Sequence, residues 1–478
     1  MKASTILLLV GLALGAGCTT VAFEPHDGVP NGDYPGTTWL KSTSPERLGW
    51  SSEKLAAARA YSERIGSAAV MIVDDGVVVD AWGDVAEPYQ LHSIRKPLMG
   101  ALIGIHVEEG SIDLSKTMAE LGIDDNPPAL SDIEKQATVY DLIRSRSGIY
   151  HPALGEVQSM KDARPPRYSH APGTFWYYNN WDFNALGTIF EQETGTKICE
   201  EFQRRIAEPL LMEDFDAKRC WYNADDNSIH RYYGIRMSAR DLARFGLLYL
   251  REGLWQDRRI VPPDWVREST AISSEIGPGR GYGYLWNVSD ERAAISPVTY
   301  RGPVFGHGGF GVHFLTVVPY RNLVVVHRVD TDEEGPYPRW RELNRLMWMI
   351  LDAAGETQIG ENPSLDATRG VRLTADNLTD TLGSGAIALY GTLYSGLVED
   401  GDRAIAAILF PDNRGEITIE GLLEDKGEWW FEDGKVCTQW QKLRKGRTGC
   451  RIWVVDGQTV KSFDLEGTLA DTYSLSPP

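Results

Sequence analysis

Basic residues are scarce in this chain. Forty-eight Lys and Arg stand against 67 Asp and Glu, a formal net charge of −19 over 478 residues. So acidic a protein repels phosphate backbones, which argues against nucleic acid as a partner. The one basic cluster, Lys442 to Arg447, is too short to reverse that. Cysteine is scarce as well: five residues, none in a C-x-x-C spacing, and no H-x-x-x-H pair accompanies them. Neither a zinc site nor any other metal or cofactor is therefore expected. The N-terminal apolar run, Ile6 to Leu14, is too short for a permanent membrane-spanning helix. Two common hydrolase signatures are also missing, the G-x-S-x-G nucleophile elbow and the H-E-x-x-H zinc motif.

What stands at the N-terminus is Lys2, that apolar run, and then the small residues Gly15-Ala16-Gly17 before Cys18. This is the layout of an export signal. Cys18 after small residues resembles the lipobox of bacterial lipoproteins, although Gly15 occupies the usual aliphatic position and Leu14 lies one place early. The resemblance implies a lipid on Cys18, a mature chain starting there, and a periplasmic, membrane-anchored location. Thr19 after the cysteine resembles the outer-membrane-sorted class. Cys199, Cys220, Cys437 and Cys450 then remain, an even number that fits disulfides in an exported chain. Of the three pairings possible, 199–220 with 437–450 closes the shortest loops, and Cys437–Cys450 is the pair favoured most.

Residues 1–18 are thus the signal, and 19–48, rich in Pro, Gly, Thr and Ser, read as a tether or N-terminal arm. Ser51 and Ser52 open a helix at Leu55. Ala68 to Val73 and Val77 to Trp82 flank an Asp-Gly turn and read as a hairpin. An apolar helix follows from Met99 to Val107, closed by Gly110. Further helices begin at Thr138 and Ser238, and another runs through Leu186 and Phe190 to Gly195. A second hairpin, Val312 to Val329, turns at Pro319 to Asn322, and a helix follows from Trp340 to Ala354 with apolar residues at helical spacing. The order predicts an α+β domain over 49–356. Its antiparallel sheet is built from both ends of the domain, with a helical region inserted between them. Residues 357–373 read as a linker. Short strands with Gly and Asp turns make 374–478 a small all-β domain.

The chemistry centres on Ser93 and Lys96. An unassisted serine is a poor nucleophile; it needs a base and donors for the oxyanion formed on attack. With Ser93 at a helix start, Lys96 lies one turn on, on the same face. The helix terminus adds positive potential, and Pro97 is tolerated in a first turn. A lysine among apolar groups loses proton affinity and can act as a base. Ser51 and Lys54 share the same spacing, but helix capping accounts for that serine. His106, inside the apolar helix, reads as structural.

Two later stretches join the first. Trp176-Tyr177-Tyr178-Asn179-Asn180 contains Tyr-x-Asn, and His307-Gly308-Gly309 precedes a strand. With Ser93-x-x-Lys96, and in this order, they resemble the serine β-lactamase and penicillin-recognising superfamily, in particular its class C-like esterase and peptidase members. Pro172-Gly173, Leu186-Gly187, Thr194-Gly195 and Ser238-Ala239-Arg240-Asp241 look like the same family, and the resemblance spans about two thirds of the chain, from Trp50 to Ala354. It implies a β-lactamase-like fold and selects Tyr178 and Asn180 over Tyr177 and Asn179. It implies that Tyr178 shares proton transfer with Lys96, that Asn180 orients the substrate amide or Lys96, and that His307 faces the cleft from an edge strand. Gly309 completes the third motif, and the backbone N–H groups of Ser93 and Phe310 would form the oxyanion hole.

Some positions depart from the pattern. Gly308 stands where many β-lactam-active relatives carry Thr or Ser, which removes a hydroxyl useful for gripping a carboxylate. Ser145 stands where many have His, and no E-x-x-L-N segment is present. The expectation is an exported serine hydrolase acting through an acyl-enzyme on a small-molecule or peptide ester or amide, an esterase or amidase rather than a true β-lactamase. The alternative is a non-catalytic binding or regulatory protein of the cell envelope on the same fold.

Overall fold

The computed structural model describes residues 22–277, 279–293, 300–333, 335, 337–355, and most strand residues between 371 and 475. Residues 1–21 with Cys18, most of the expected linker and the tip of the basic turn lie outside the described residues.

A ten-stranded sheet organises the first domain. Its strands are β1 Glu24–His26, β2 Leu40–Ser42, β3 Ala69–Asp74, β4 Val77–Gly83, β5 Ser274–Gly277, β6 Arg280–Tyr282, β7 Asn287–Ser289, β8 Val304–Gly309, β9 His313–Val318 and β10 Leu323–Arg328. They lie side by side in the order β1-β2-β4-β3-β10-β9-β8-β7-β6-β5. The two expected hairpins therefore meet at the centre, where β3 and β10 pair antiparallel from Ala69–Arg328 to Asp74–Leu323. Asp75 and Gly76 both lie at positive φ, 48° and 91°, as a tight two-residue hairpin turn requires.

Both faces of this centre are covered, which explains why β3 and β10 read as unbroken apolar runs. On one face Met71, Val73, Val324 and Val326 meet α2 (Arg95–Glu108), α4 (Asn180–Thr194) and α5 (Ala239–Leu250). On the other Val70, Ile72, Leu323 and Val325 meet α1 (Ser52–Arg64) and α6 (Trp340–Ala353). Helix α2 is buried along almost its whole length, as a helix apolar on every side must be. A short helix, α3 (Val139–Ile143), is opened by a Thr138–Asp141 capping box.

The structure corrects three expectations. Residues 22–48 are not a free tether: β1 and β2 run parallel to each other and β2 parallel to β4, so the sheet is mixed rather than antiparallel. Trp39 anchors this arm, fully buried with its indole N–H donating to the Arg240 carbonyl at 3.1 Å. Val371–Arg372, expected in the linker, pairs with Gly449–Asp456 of the C-terminal domain. Strands β5 to β7 have only three or four residues each, too few to show alternation in the sequence.

The C-terminal region is all-β. Its strands from Ile387–Leu393 to Leu469–Ser474 pair antiparallel with their sequence neighbours. The last pairs back on the first, closing eight strands into a ring. Leu409, Ile417, Trp429, Val436, Val455 and Val460 form its buried core. Cys437 and Cys450 face each other on adjacent strands, with sulfurs 2.13 Å apart. Cys199 and Cys220 are also joined, at 2.05 Å, so both nearest-neighbour pairs are bridged.

The second Ser-x-x-Lys copy is structural. Ser51 caps α1 by accepting from the Lys54 N–H at 3.3 Å, and Lys54 pairs with Asp352 at 3.0 Å. Ser51→Ala is expected to lower unfolding free energy by about 1 kcal/mol in urea titration while leaving any acylation rate unchanged.

Candidate active site

Ser93 sits in a single 3-10 turn, His92–Ile94, that leads directly into α2. This places Lys96 one turn on, and its Nζ lies 2.7 Å from Ser93 Oγ, within hydrogen-bonding reach. Ser93 is half-buried and open to a substrate, whereas Lys96 is fully buried. Its Nζ lies over the rings of Tyr178 and Phe183, at 4.6 and 4.5 Å from their centroids. Burial, aided by the Arg95 guanidinium beside it, holds the Lys96 amine well below the ordinary lysine range. A lowered proton affinity is what a lysine serving as base for Ser93 requires.

The backbone around Ser93 is strained. His92 has φ of 48° although it is not glycine. Its Nε2 is 2.8 Å from Thr331 Oγ1, and its ring meets Phe310 edge-on at 5.4 Å. Directly across, the turn after β8 holds Val312 at φ 68°, an outlier for a β-branched residue. These two strained positions stand where the end of β8 approaches the Ser93 turn. Gly309 makes the approach possible, because a Cβ there would lie 2.7 Å from the Leu91 carbonyl oxygen.

Arg328 braces the same turn from below. It is fully buried and donates to the carbonyls of Tyr89, Gln90 and Met237 at 2.9 to 3.1 Å, and through Nε to His313 Nδ1 at 3.1 Å. Burial pushes its pKa down to about 9. Arg328→Met would remove all four of these hydrogen bonds from a buried cluster. It is expected to destabilise the protein by about 3 kcal/mol, read as a lower denaturation midpoint.

The Tyr-x-Asn stretch enters the site as an extended run just before α4. Ser145, at φ 58°, pins it: its carbonyl accepts from the Tyr177 N–H at 3.0 Å and its hydroxyl from the Asn179 N–H at 3.1 Å. Alternation then separates the aromatics. Trp176 meets Tyr282, Tyr177 turns away and donates to the Met160 carbonyl at 2.8 Å, and Tyr178 faces Lys96. The expected register, Tyr178 rather than Tyr177, is the one that reaches the lysine.

Of the two roles expected of Asn180, the one toward Lys96 is not the one its amide takes. Asn180 is the first residue of α4, and its amide donates to the Gly155 carbonyl at 2.8 Å and leans on Met160 Sδ at 3.5 Å. The loop beneath it, rather than Lys96, takes these hydrogen bonds. His307 stands at the end of β8. Only Val304–Gly306 of β8 pair with β7, so β8 is an edge only at its end, where the motif lies. His307 is 1% exposed and faces the Tyr178 ring at 6.2 Å rather than open solvent. Its Nδ1–H donates to the Gly308 carbonyl at 2.8 Å, which leaves Nε2 as a buried acceptor without a partner among the described residues. Burial and the nearby Lys96 push its pKa down to about 3, so it is neutral at working pH.

His92, Arg95, Phe183, Tyr282 and Arg328 carried no signal in the sequence, since each acts through burial or backbone geometry. His106 is structural as expected, buried with Nε2 3.1 Å from Glu201.

With this geometry in place, comparison with known proteins gives the family. A model of the Beta-lactamase family matches residues 53–346. The chain belongs to the beta-lactamase family. That family consists of serine hydrolases, and the match contains every catalytic candidate named above. An uncharacterized protein of Alkalihalophilus pseudofirmus is 24% identical over 300 residues, covering 55% of this chain and 82% of that protein. The 6-aminohexanoate-dimer hydrolase of Paenarthrobacter ureafaciens is 23% identical over 244 residues, covering 44% of this chain and 61% of its own length. Among solved structures, a beta-lactamase/D-alanine carboxypeptidase from Pseudomonas syringae aligns at 18% identity with a TM-score of 0.46, covering 63% of this chain and 99% of that one.

Proposed function

We propose that this family member is an exported serine hydrolase that forms an acyl-enzyme on Ser93 from an ester or amide. One observation carries the reading: Ser93 Oγ lies 2.7 Å from a fully buried lysine whose proton affinity is depressed. Neutral Lys96 takes the Ser93 proton as Oγ attacks the substrate carbonyl. The Ser93 and Phe310 N–H groups hold the resulting oxyanion. Collapse breaks the bond to the leaving alcohol or amine, which takes up the proton from Lys96, with Tyr178 relaying it. Water then attacks the acyl-enzyme and gives its proton to the same base, which passes it to Ser93 Oγ as the acyl–oxygen bond breaks and the acid leaves.

The export signal ahead of Cys18 and the two disulfides support a location outside the cytoplasm, with a lipid on Cys18 as the anchor. Class C-like esterase or amidase activity is favoured over β-lactam hydrolysis because position 308 offers no hydroxyl. Purified protein treated with a fluorescent alkyl phosphonate and, separately, a fluorescent penicillin tests this. Strong phosphonate labelling with little penicillin labelling is expected. Equal labelling by the penicillin would overturn the preference for simple esters and amides, and labelling by neither would overturn the hydrolase reading.

A further inference from the structure

Two stretches of backbone meet at the Ser93 turn. One carries His92, the residue before Ser93; the other carries Gly311, the residue after Phe310. The first is held from below. Arg328 reaches the Tyr89 and Gln90 carbonyls, and the Leu91 N–H donates to the Ile235 carbonyl at 2.9 Å. The approach of the second is close, since a Cβ on Gly309 would also lie 3.3 Å from His92 Cβ. The His92 ring packs at this junction, 5.4 Å from the Phe310 ring and 5.5 Å from the His313 ring.

Thr331, shortly after β10, touches both stretches. Its hydroxyl is hydrogen-bonded to His92 Nε2 at 2.8 Å. Its methyl lies against Gly311: a Cβ built there would be 2.4 Å from Thr331 Cγ2, at a backbone position already at φ 79°. No side chain fits at 311 while that methyl is present. Thr331 is itself tethered on both sides. Behind it stands the buried Arg328. Ahead of it Arg236 grips Asp332 with both terminal nitrogens, at 2.6 and 2.7 Å. Arg236–Met237 is a short strand paired with Tyr89–Gln90, so Thr331 and the turn it touches hang from the same framework. One side chain thus joins the neighbour of Ser93 to the neighbour of Phe310.

We propose that Thr331 is a positioning residue that sets the separation of the Ser93 and Phe310 N–H groups, and with it the fit of the oxyanion hole to the tetrahedral intermediate. This rests on Ser93 being the nucleophile and on those two N–H groups forming the hole. Oxyanion donors act over a narrow range of distance, so a small displacement slows the chemical step more than it weakens substrate binding. The test compares 4-nitrophenyl butyrate with its thiono counterpart, whose C=S sulfur is the weaker acceptor. Acylation is followed by stopped flow with enzyme in excess, which separates its rate from substrate binding. In Thr331→Ala the rate on the oxygen ester is expected to fall about 30-fold with binding changed less than about threefold. The preference for oxygen over sulfur should narrow about 10-fold. Thr331→Ser keeps the hydroxyl and Thr331→Val keeps the methyl, so each should restore part of the rate. Circular dichroism checks folding, and if Thr331→Ala does not fold, the Ser and Val variants carry the test through smaller falls in the same two readings. Rates within about twofold of wild type in every folded variant, or slower rates with an unchanged oxygen-to-sulfur preference, would overturn the proposal and leave the hydrolase intact. A wild type that the phosphonate does not label at Ser93 would instead overturn the Ser93 reading, and this proposal with it.

Discussion

Ser93→Ala is expected to abolish turnover, with a fall in kcat on the order of 10⁵-fold or more against any ester the wild type cleaves. The size follows from the chemistry. Removing Oγ removes the covalent step itself, and the oxyanion donors and binding surface can supply only a residue of catalysis. The fold should survive. Ser93 is half-buried and its hydroxyl is bonded to Lys96, so stability should fall by about 1 kcal/mol at most. A folded protein without activity is therefore the expected combination, read by circular dichroism and ester hydrolysis on the same sample. Ser51→Ala is the internal control, having the same motif spacing without the buried lysine.

Lys96→Met should separate activity from stability in opposite directions. Turnover is expected to drop about 10³-fold, because the base that accepts the serine proton is gone. Stability is expected to rise by on the order of 1 kcal/mol at neutral pH. The sign follows from linkage. Folding lowers the proton affinity of Lys96, so the unfolded chain binds the proton more tightly. The penalty is absent above the ordinary lysine pKa, grows as pH falls, and levels off below the folded value. Wild type and variant should accordingly converge in stability toward about pH 10. In the wild type, the acylation rate should rise with pH through the depressed pKa of Lys96. Acylation that was independent of pH across the neutral range, with Lys96→Met fully active, would remove the lysine from the mechanism.

The parts legible in the sequence were those with a short-range signature. Asp75-Gly76 announced its hairpin, Ser51, Thr138 and Ser238 announced their helices, and the apolar β3 and β10 announced a buried centre. Ser93 and Lys96 were legible because their spacing is one helical turn, and Tyr178 because the family resemblance selects it over Tyr177. Other features depend on packing between distant segments. Trp39 docks the N-terminal arm through a carbonyl 201 residues away, and a Pro- and Gly-rich composition conceals that. Asn180 stood in the right register, but the loop at Gly155 captures its amide, which spacing cannot reveal. The strain at His92 and Val312 belongs to the backbone and leaves no mark on residue type. Gly308 was visible only as a missing hydroxyl; that Trp340 fills the space required the packed structure.

The central claim is that Ser93 forms the covalent intermediate. Reacting the full protein with an alkyl fluorophosphonate and mapping the adduct by peptide mass spectrometry tests it most directly. One adduct per chain on the peptide containing Ser93, absent in Ser93→Ala and slowed in Lys96→Met, is the expected result. An adduct on another residue, or none on folded protein, would contradict the account.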